Sequence, residues 1–216
     1  KLYSKQKSFF KKRGSVKLGP LTTYSLIKDP QYILFQISRY KHASKILDGK
    51  KSCLEIGVGD GVGIPILCQH FKKVLATDID NRFFKYFFQK KDFKNLSFEK
   101  INFINKPTNK KYDSAVCFDV ISSIKRKDEN NFFNNIKKSL KQNSIFILGT
   151  QNKLATKYSL KSNLYDQPNF KNYKQLKKTM EKHFENVIIL SMNDETIHTG
   201  KRENAQYFLA VGICPK

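Results

Sequence analysis

The spacing of hydrophobic and polar positions changes period repeatedly along this chain, and each change marks an element. Over residues 29–48, Ile33, Leu34, Ile37, Tyr40, Ile46 and Leu47 recur at close to 3.6-residue spacing, and Gly49 follows. That pattern predicts an amphipathic helix with a glycine stop. Short β-rich runs at 52–56, 74–79, 96–101, 114–118 and 144–149 predict strands. Helical runs at 64–71, 81–91 and 128–140 fall between them, and Pro65 sits in the first turn of its helix, where a missing N–H costs nothing. A helix is expected over 172–184, opened by Asn172 as cap with Gln175 three residues on. Strands at 187–192 and 206–213 close the chain. Strands alternating with helices predict a mainly parallel sheet covered on both faces. The last two strands have only a loop, 193–204, between them and are expected to pair antiparallel. Residues 150–171 form the longest irregular stretch after a basic leader (1–19), and loops that long usually carry function.

Length and composition narrow the class. With 216 residues, 39% hydrophobic and 13% aromatic, the chain can fill one α/β core. We therefore divide it into a basic N-terminal leader and candidate lid (1–28) and one domain (29–216). No apolar run approaches the roughly 18–20 residues that span a bilayer, and the basic N-terminus lacks the apolar stretch of a secretory signal. A soluble, cytoplasmic protein without a membrane partner is expected. Cys53, Cys68, Cys117 and Cys214 show no metal-ligand spacing and read as core thiols.

Forty-one Lys and Arg against eighteen Asp and Glu give a net charge of +23. Such a charge ordinarily points to nucleic acid or another anionic partner. Here the lysines are dispersed among abundant Asn, Phe, Ile and Tyr, so most of the charge is read as solvated helix faces. Nucleic acid and an anionic small substrate remain the alternatives.

The chemistry concentrates between residues 53 and 80. The run Leu54-Glu55-Ile56-Gly57-Val58-Gly59-Asp60-Gly61-Val62-Gly63 joins a predicted strand to a predicted helix. Gly57 and Gly59 allow a tight turn and close approach of backbone to ligand, and the following helix offers free N–H groups. A dinucleotide fingerprint would need glycine where Val62 stands, and a P-loop would need Gly-Lys-Ser/Thr. The next strand ends in Asp78-Ile79-Asp80, with Asp78 about 20 residues beyond the glycines, where a carboxylate accepts both ribose hydroxyls.

These motifs resemble those of the class I S-adenosylmethionine-dependent methyltransferases, the type 11 group in particular. The likeness covers about residues 40–215. It rests on Glu55-Ile-Gly-Val-Gly-Asp-Gly61, on Asp78-Ile-Asp80, on Tyr112-Asp113-Ser-Ala-Val-Cys-Phe-Asp119-Val-Ile-Ser-Ser-Ile124 and on Leu148-Gly-Thr-Gln-Asn152. The resemblance implies a Rossmann-like, seven-stranded mixed α/β sheet of order 3-2-1-4-5-7-6. It implies S-adenosylmethionine over the C-terminal ends of strands 1 to 4, with Gly57 and Gly59 beneath the methionine part and Asp78 on the ribose. Arg39, Glu55, Ile79, Asn102, Phe103 and Asp119 complete that set: Asn102 on an adenine edge, Phe103 stacking, and Arg39 toward the cofactor carboxylate or an anionic acceptor. Where relatives carry an acidic residue after the third strand this chain has Asn102-Phe103, and where they often carry Glu-His after the fourth it has Ser122-Ser123.

With no histidine beside the fourth strand, a base for a hydroxyl acceptor is sought in the loop 193–204, where Asp194, Glu195 and His198 are the candidates. Asp119 with Gln151 and Asn152 supplies too few carboxylates for a metal site, so none is expected. The expected function is O-methylation of a small carbohydrate-type acceptor, with an anionic one among the candidates. The alternatives are a tRNA or rRNA methyltransferase using the basic surface, and a non-catalytic cofactor-binding partner subunit.

Overall fold

The computed structural model describes residues 2–80, 82, 92–155 and 169–216; the helix expected at 81–91 and the core of the irregular stretch, 156–168, lie outside them. Eight strands are present among the described residues: β1 (Ser52–Ile56), β2 (Lys73–Asp78), β3 (Leu96–Lys100), β4 (Tyr112–Phe118), β5 (Leu140–Gln151), β6 (Phe184–Asn193), β7 (Thr196–His198) and β8 (Tyr207–Pro215). They form one sheet in the order β3-β2-β1-β4-β5-β8-β6-β7. The first five pair parallel, and β8 runs antiparallel between β5 and β6. Seven strands thus lie in the order expected, and the expected count of seven is corrected to eight.

The extra strand comes from the segment expected to be a loop. β6 and β7 form a hairpin closed by Asp194 and Glu195, with Asn193 opposite Thr196. Asp194 adopts a left-handed backbone (φ 48°), which Asp tolerates better than most residues, and its amide donates to Gln206 Oε1 at 3.0 Å. Pairing with β7 occupies hydrogen-bonding groups that β6 would otherwise leave open at the sheet edge.

Alternation along each strand sends side chains to two separate cores. Ala115, Cys117, Phe146 and Leu148 face helices α5 (Glu129–Lys138) and α6 (Tyr173–His183), against Phe132, Phe133, Ile136, Leu176 and Met180. Cys53, Val116, Phe118 and Ile147 face α3 (Pro30–Ile46) and α4 (Ile64–His70), against Tyr40, Ala43, Leu47 and Leu67. The capping box on α6 forms as expected, Asn172 Oδ1 accepting from the Gln175 amide at 2.9 Å while Gln175 Oε1 accepts from the Asn172 amide at 3.1 Å. β5 starts earlier than expected, because Leu140 pairs with Tyr112 across a register shift before the regular ladder resumes at Ser114 and Ile145.

The leader is helical. α1 (Leu2–Arg13) and α2 (Pro20–Lys28) precede the domain helix α3, and Pro20 and Pro30 open α2 and α3 at positions where the absent N–H is harmless. Arg13 anchors the end of α1 to Asp92 at 2.6 Å. No helix among the described residues is long and apolar enough to cross a membrane.

Candidate active site

The glycine loop leaves β1 at its C-terminal end and turns back over the sheet. The Gly57 and Val58 amides both donate to the Thr77 carbonyl, at 2.9 and 3.0 Å. Gly57, Gly59 and Gly61 take φ values of 79°, 56° and 90°, the left-handed region that a side chain disfavours. A Cβ at Gly57 would stand 2.2 Å from Val120 Cγ2, so the loop needs glycine to close against the end of β4.

Asp78 ends β2 beside this loop. Its Oδ2 accepts from the Gly59 amide at 2.9 Å and its Oδ1 from the Asp80 amide at 3.0 Å. Each carboxylate oxygen has a further lone pair, which suits a pair of vicinal hydroxyls. Ile79, next along, is exposed at the rim. Asn102 follows β3, and its Oδ1 accepts from the Ile104 amide at 2.9 Å, leaving its NH₂ as the group that can meet a base edge. Phe103 is buried, its ring packed in the α5–α6 core rather than standing free at the rim, because its carbonyl and that of Ile104 are tied to the Asn135 amide group on α5.

Glu55 lies in the loop's floor, fully buried. Tyr40 Oη donates to its Oε1 at 2.7 Å, while Oε2 is buried without a partner. Burial pushes the carboxyl up to about 8, with the Asp78 charge adding to the rise. A buried carboxyl with one open oxygen below a glycine cradle fits the amino end of an S-adenosylmethionine molecule, and Asp78 and Asn102 fit its ribose and adenine.

Across the rim stands an ion pair, buried on its arginine side. Asp119, one residue past β4, has φ 62°, unusual for a residue with a side chain and a mark of a site held by its surroundings. Arg39 Nη1 donates to Asp119 Oδ2 at 2.6 Å; the Arg39 side chain is 2% exposed and that of Asp119 40%. The guanidinium lies 4.7 Å from the Tyr207 ring centroid and 4.8 Å from that of Phe35, and its Nε has no hydrogen-bond partner. Tyr207 Oη is buried beside the same pair; burial, with the charge of Asp119 and a hydrogen bond to it acting alongside, holds it protonated well above the ordinary tyrosine range. Arg39 was expected to meet an anion at the rim. Here the anion is Asp119, so the positive charge is spent inside the protein.

The three residues expected to supply a base sit together on the β6–β7 hairpin. Asp194 and Glu195 are its exposed turn, and His42 Nε2 is 3.0 Å from the Glu195 carbonyl. His198 Nδ1 accepts from the Gly200 amide at 3.1 Å, which leaves the proton on Nε2, 3.3 Å from Asn193 Oδ1. Its basic lone pair is therefore engaged locally. Three strands separate β7 from β4, a displacement of roughly 19 Å at four strand spacings.

Three contributors escape sequence reasoning. Asp60, inside the glycine run, binds α2 through Thr22, and a Cβ at Gly59 would meet Leu21 Cδ1 at 3.3 Å, so α2 lies over the loop. Tyr207 and Phe35 come from opposite ends of the chain to flank Arg39. The one usable signal was Gly19-Pro20, a helix start whose cap has no side chain to offer.

Residues 54–146 match the family model described as a methyltransferase domain. No curated protein matches the chain in sequence. The methyltransferase domain of bacterial CtHen1-C superposes with a TM-score of 0.70 at 15% identity, covering 84% of this chain and 100% of that one. The N-methyltransferase NodS from Bradyrhizobium japonicum, in complex with S-adenosyl-L-homocysteine, gives 0.65 at 14% identity, covering 84% and 88%. A possible histamine N-methyltransferase from Thermotoga maritima gives 0.65 at 16%, covering 89% and 93%. At such identities the superpositions speak for the fold, and the family match speaks for the glycine-loop half of the sheet. The glycine-loop half of the sheet thus matches a methyltransferase domain, in a fold shared with S-adenosylmethionine-dependent methyltransferases.

Proposed function

We propose that the enzyme methylates a hydroxyl group on a small, uncharged, carbohydrate-type acceptor seated against Asp119. The observation that carries this reading is the half-exposed Asp119 carboxylate, one oxygen of which is fixed by the buried Arg39. When bound, S-adenosylmethionine supplies an electrophilic methyl group for an in-line displacement, so orientation and exclusion of water carry much of the rate. Gly57 and Gly59 would line the methionine part, Glu55 its amino end and Asp78 the ribose. Asp119 Oδ1 would accept the hydrogen bond of the acceptor hydroxyl and take up its proton as the oxygen attacks. Arg39 holds the carboxylate in place, and its contacts with the Phe35 and Tyr207 rings limit its movement. Because Asp119 already offsets the guanidinium, the site offers an anionic acceptor little, and the acceptor is taken as neutral. His198, the alternative base, would first have to release the Gly200 amide.

The test is methyl transfer from labelled cofactor to panels of sugars, sugar nucleotides, amines and RNA. Transfer to sugar hydroxyls, lost in Asp119→Asn, is the expected result. Transfer confined to amines or RNA would replace the acceptor class. Cofactor binding with no transfer to any panel would favour a non-catalytic partner subunit.

A further inference from the structure

Helix α2 is inside out. Thr22 and Ser25 are 4% and 8% exposed, while Leu21, Tyr24 and Ile27 are 53%, 68% and 71% exposed. Residues 21, 24 and 27 follow one another at three-residue steps and so share one helix face, an apolar stripe turned to solvent. Thr22 is drawn inward by its two hydrogen bonds to Asp60, which sets the helix's rotation and leaves the stripe outside. The feature is regional. Of thirteen exposed large hydrophobic side chains among the described residues, ten fall between positions 3 and 34, among them Phe9 and Phe10 on α1. A clustering of this kind marks an interaction site rather than ordinary surface.

Charge identifies the partner. Residues 1–28 contain eight Lys and Arg and no Asp or Glu. A second copy of a chain carrying +23 would be repelled. A nucleic acid would favour aromatic stacking platforms beside basic side chains, but half of the ten apolar side chains here are aliphatic (Val16, Leu21, Leu26, Ile27 and Leu34), which offer a base no stacking face. Aliphatic and aromatic side chains beside lysines are the composition of helices that lie in an anionic bilayer interface. We propose that α1 and α2 dock the enzyme peripherally on an anionic lipid surface, with the apolar stripe of α2 entering the headgroup region. Because α2 lies over the glycine loop, docking would turn the rim of the active site toward that surface.

The experiment is sedimentation of the whole protein with vesicles of phosphatidylcholine alone or of phosphatidylcholine and phosphatidylglycerol in a 3:1 ratio. The paired variant is Tyr24→Ser with Ile27→Asp; Leu21 is left in place because it lies against Gly59. Binding to the anionic vesicles at least tenfold tighter than to phosphatidylcholine is expected. The double variant should lose at least tenfold of it while keeping its melting temperature and cofactor affinity. Equal binding to both vesicles, no binding to either, or an unchanged double variant overturns the proposal. So does tight binding of poly(U) in place of vesicles, which would assign the same surface to RNA.

Discussion

Asp60, in the glycine loop, caps helix α2 from 38 residues away: its Oδ2 accepts from the Thr22 amide at 2.7 Å and its Oδ1 from the Thr22 hydroxyl at 2.8 Å. Gly19 occupies the cap position and has no side chain with which to satisfy the first-turn amides, so the carboxylate of the loop does it instead. One buried contact thereby holds the leader on the cofactor loop. Helix α2 of the leader thus packs against the glycine loop.

Asp60→Ala should therefore cost about 1–3 kcal/mol of stability, the usual penalty for leaving buried donors unpaired. It should also weaken S-adenosylmethionine binding, because the loop loses its cover. Urea denaturation and calorimetry read the two effects. A variant with wild-type stability and affinity would mean that α2 is held by other contacts.

Asp78→Ala should weaken cofactor binding by about 1.5–3 kcal/mol, the range for hydrogen bonds to a charged group. Asp78→Asn should lose less, since its amide oxygen can still accept from the Gly59 amide. Isothermal calorimetry with S-adenosyl-L-homocysteine distinguishes these outcomes. Equal losses in both variants would indicate that the charge, and not the loop's shape, is what the ligand needs.

The Glu55 carboxyl stands near 8 in the folded chain against an ordinary value of 4.5. Between those values the folded state binds a proton that the unfolded state has released, so stability falls as pH rises through this window. The slope from this one group is at most about 1.4 kcal/mol per pH unit. Glu55→Gln should flatten the decline between pH 5 and pH 8, as measured by melting temperature against pH. The buried His183 works at the other end. Burial lowers it from 6.5 to about 4, so the stability contributed by its neutral form is present above 6.5 and lost as pH falls toward 4.

Once an acceptor is identified, Asp119→Asn should lower kcat about 10²-fold or more, in the range for a general base. His198→Ala should change it less than about threefold, since general-base contributions larger than that are not expected from a ring whose lone pair is already engaged. Arg39→Lys keeps the charge but loses the guanidinium's contact with the Phe35 and Tyr207 rings. It should lower kcat while leaving cofactor affinity near wild type. The reverse pattern, a dead His198→Ala with an active Asp119→Asn, would move the base to the hairpin.

The local code of this chain settled its elements and their order. Periodicity, Pro65, the Asn172–Gln175 capping box and the alternation of strands and helices are properties of neighbouring residues, and they led to a mainly parallel sheet, while the glycine-loop and Asp78 motifs led by family resemblance to its Rossmann-like order. Backbone geometry and hydrogen bonding within a few residues fix such features wherever the chain is placed. What the tertiary structure alone decided were the long-range pairings. Arg39 and Asp119 are 80 residues apart, and Thr22 and Asp60 are 38 apart. Nothing in a local pattern says that an arginine on one helix will spend its charge on the residue after β4. Nor does it say that a loop carboxylate will cap a helix in the leader. The same holds for β7, three residues too short to carry a period of their own, which exist as a strand because β6 presents an open edge beside them. Burial decides these cases: charges and amides removed from water must find partners, and which partners lie within reach depends on the packing of the whole chain.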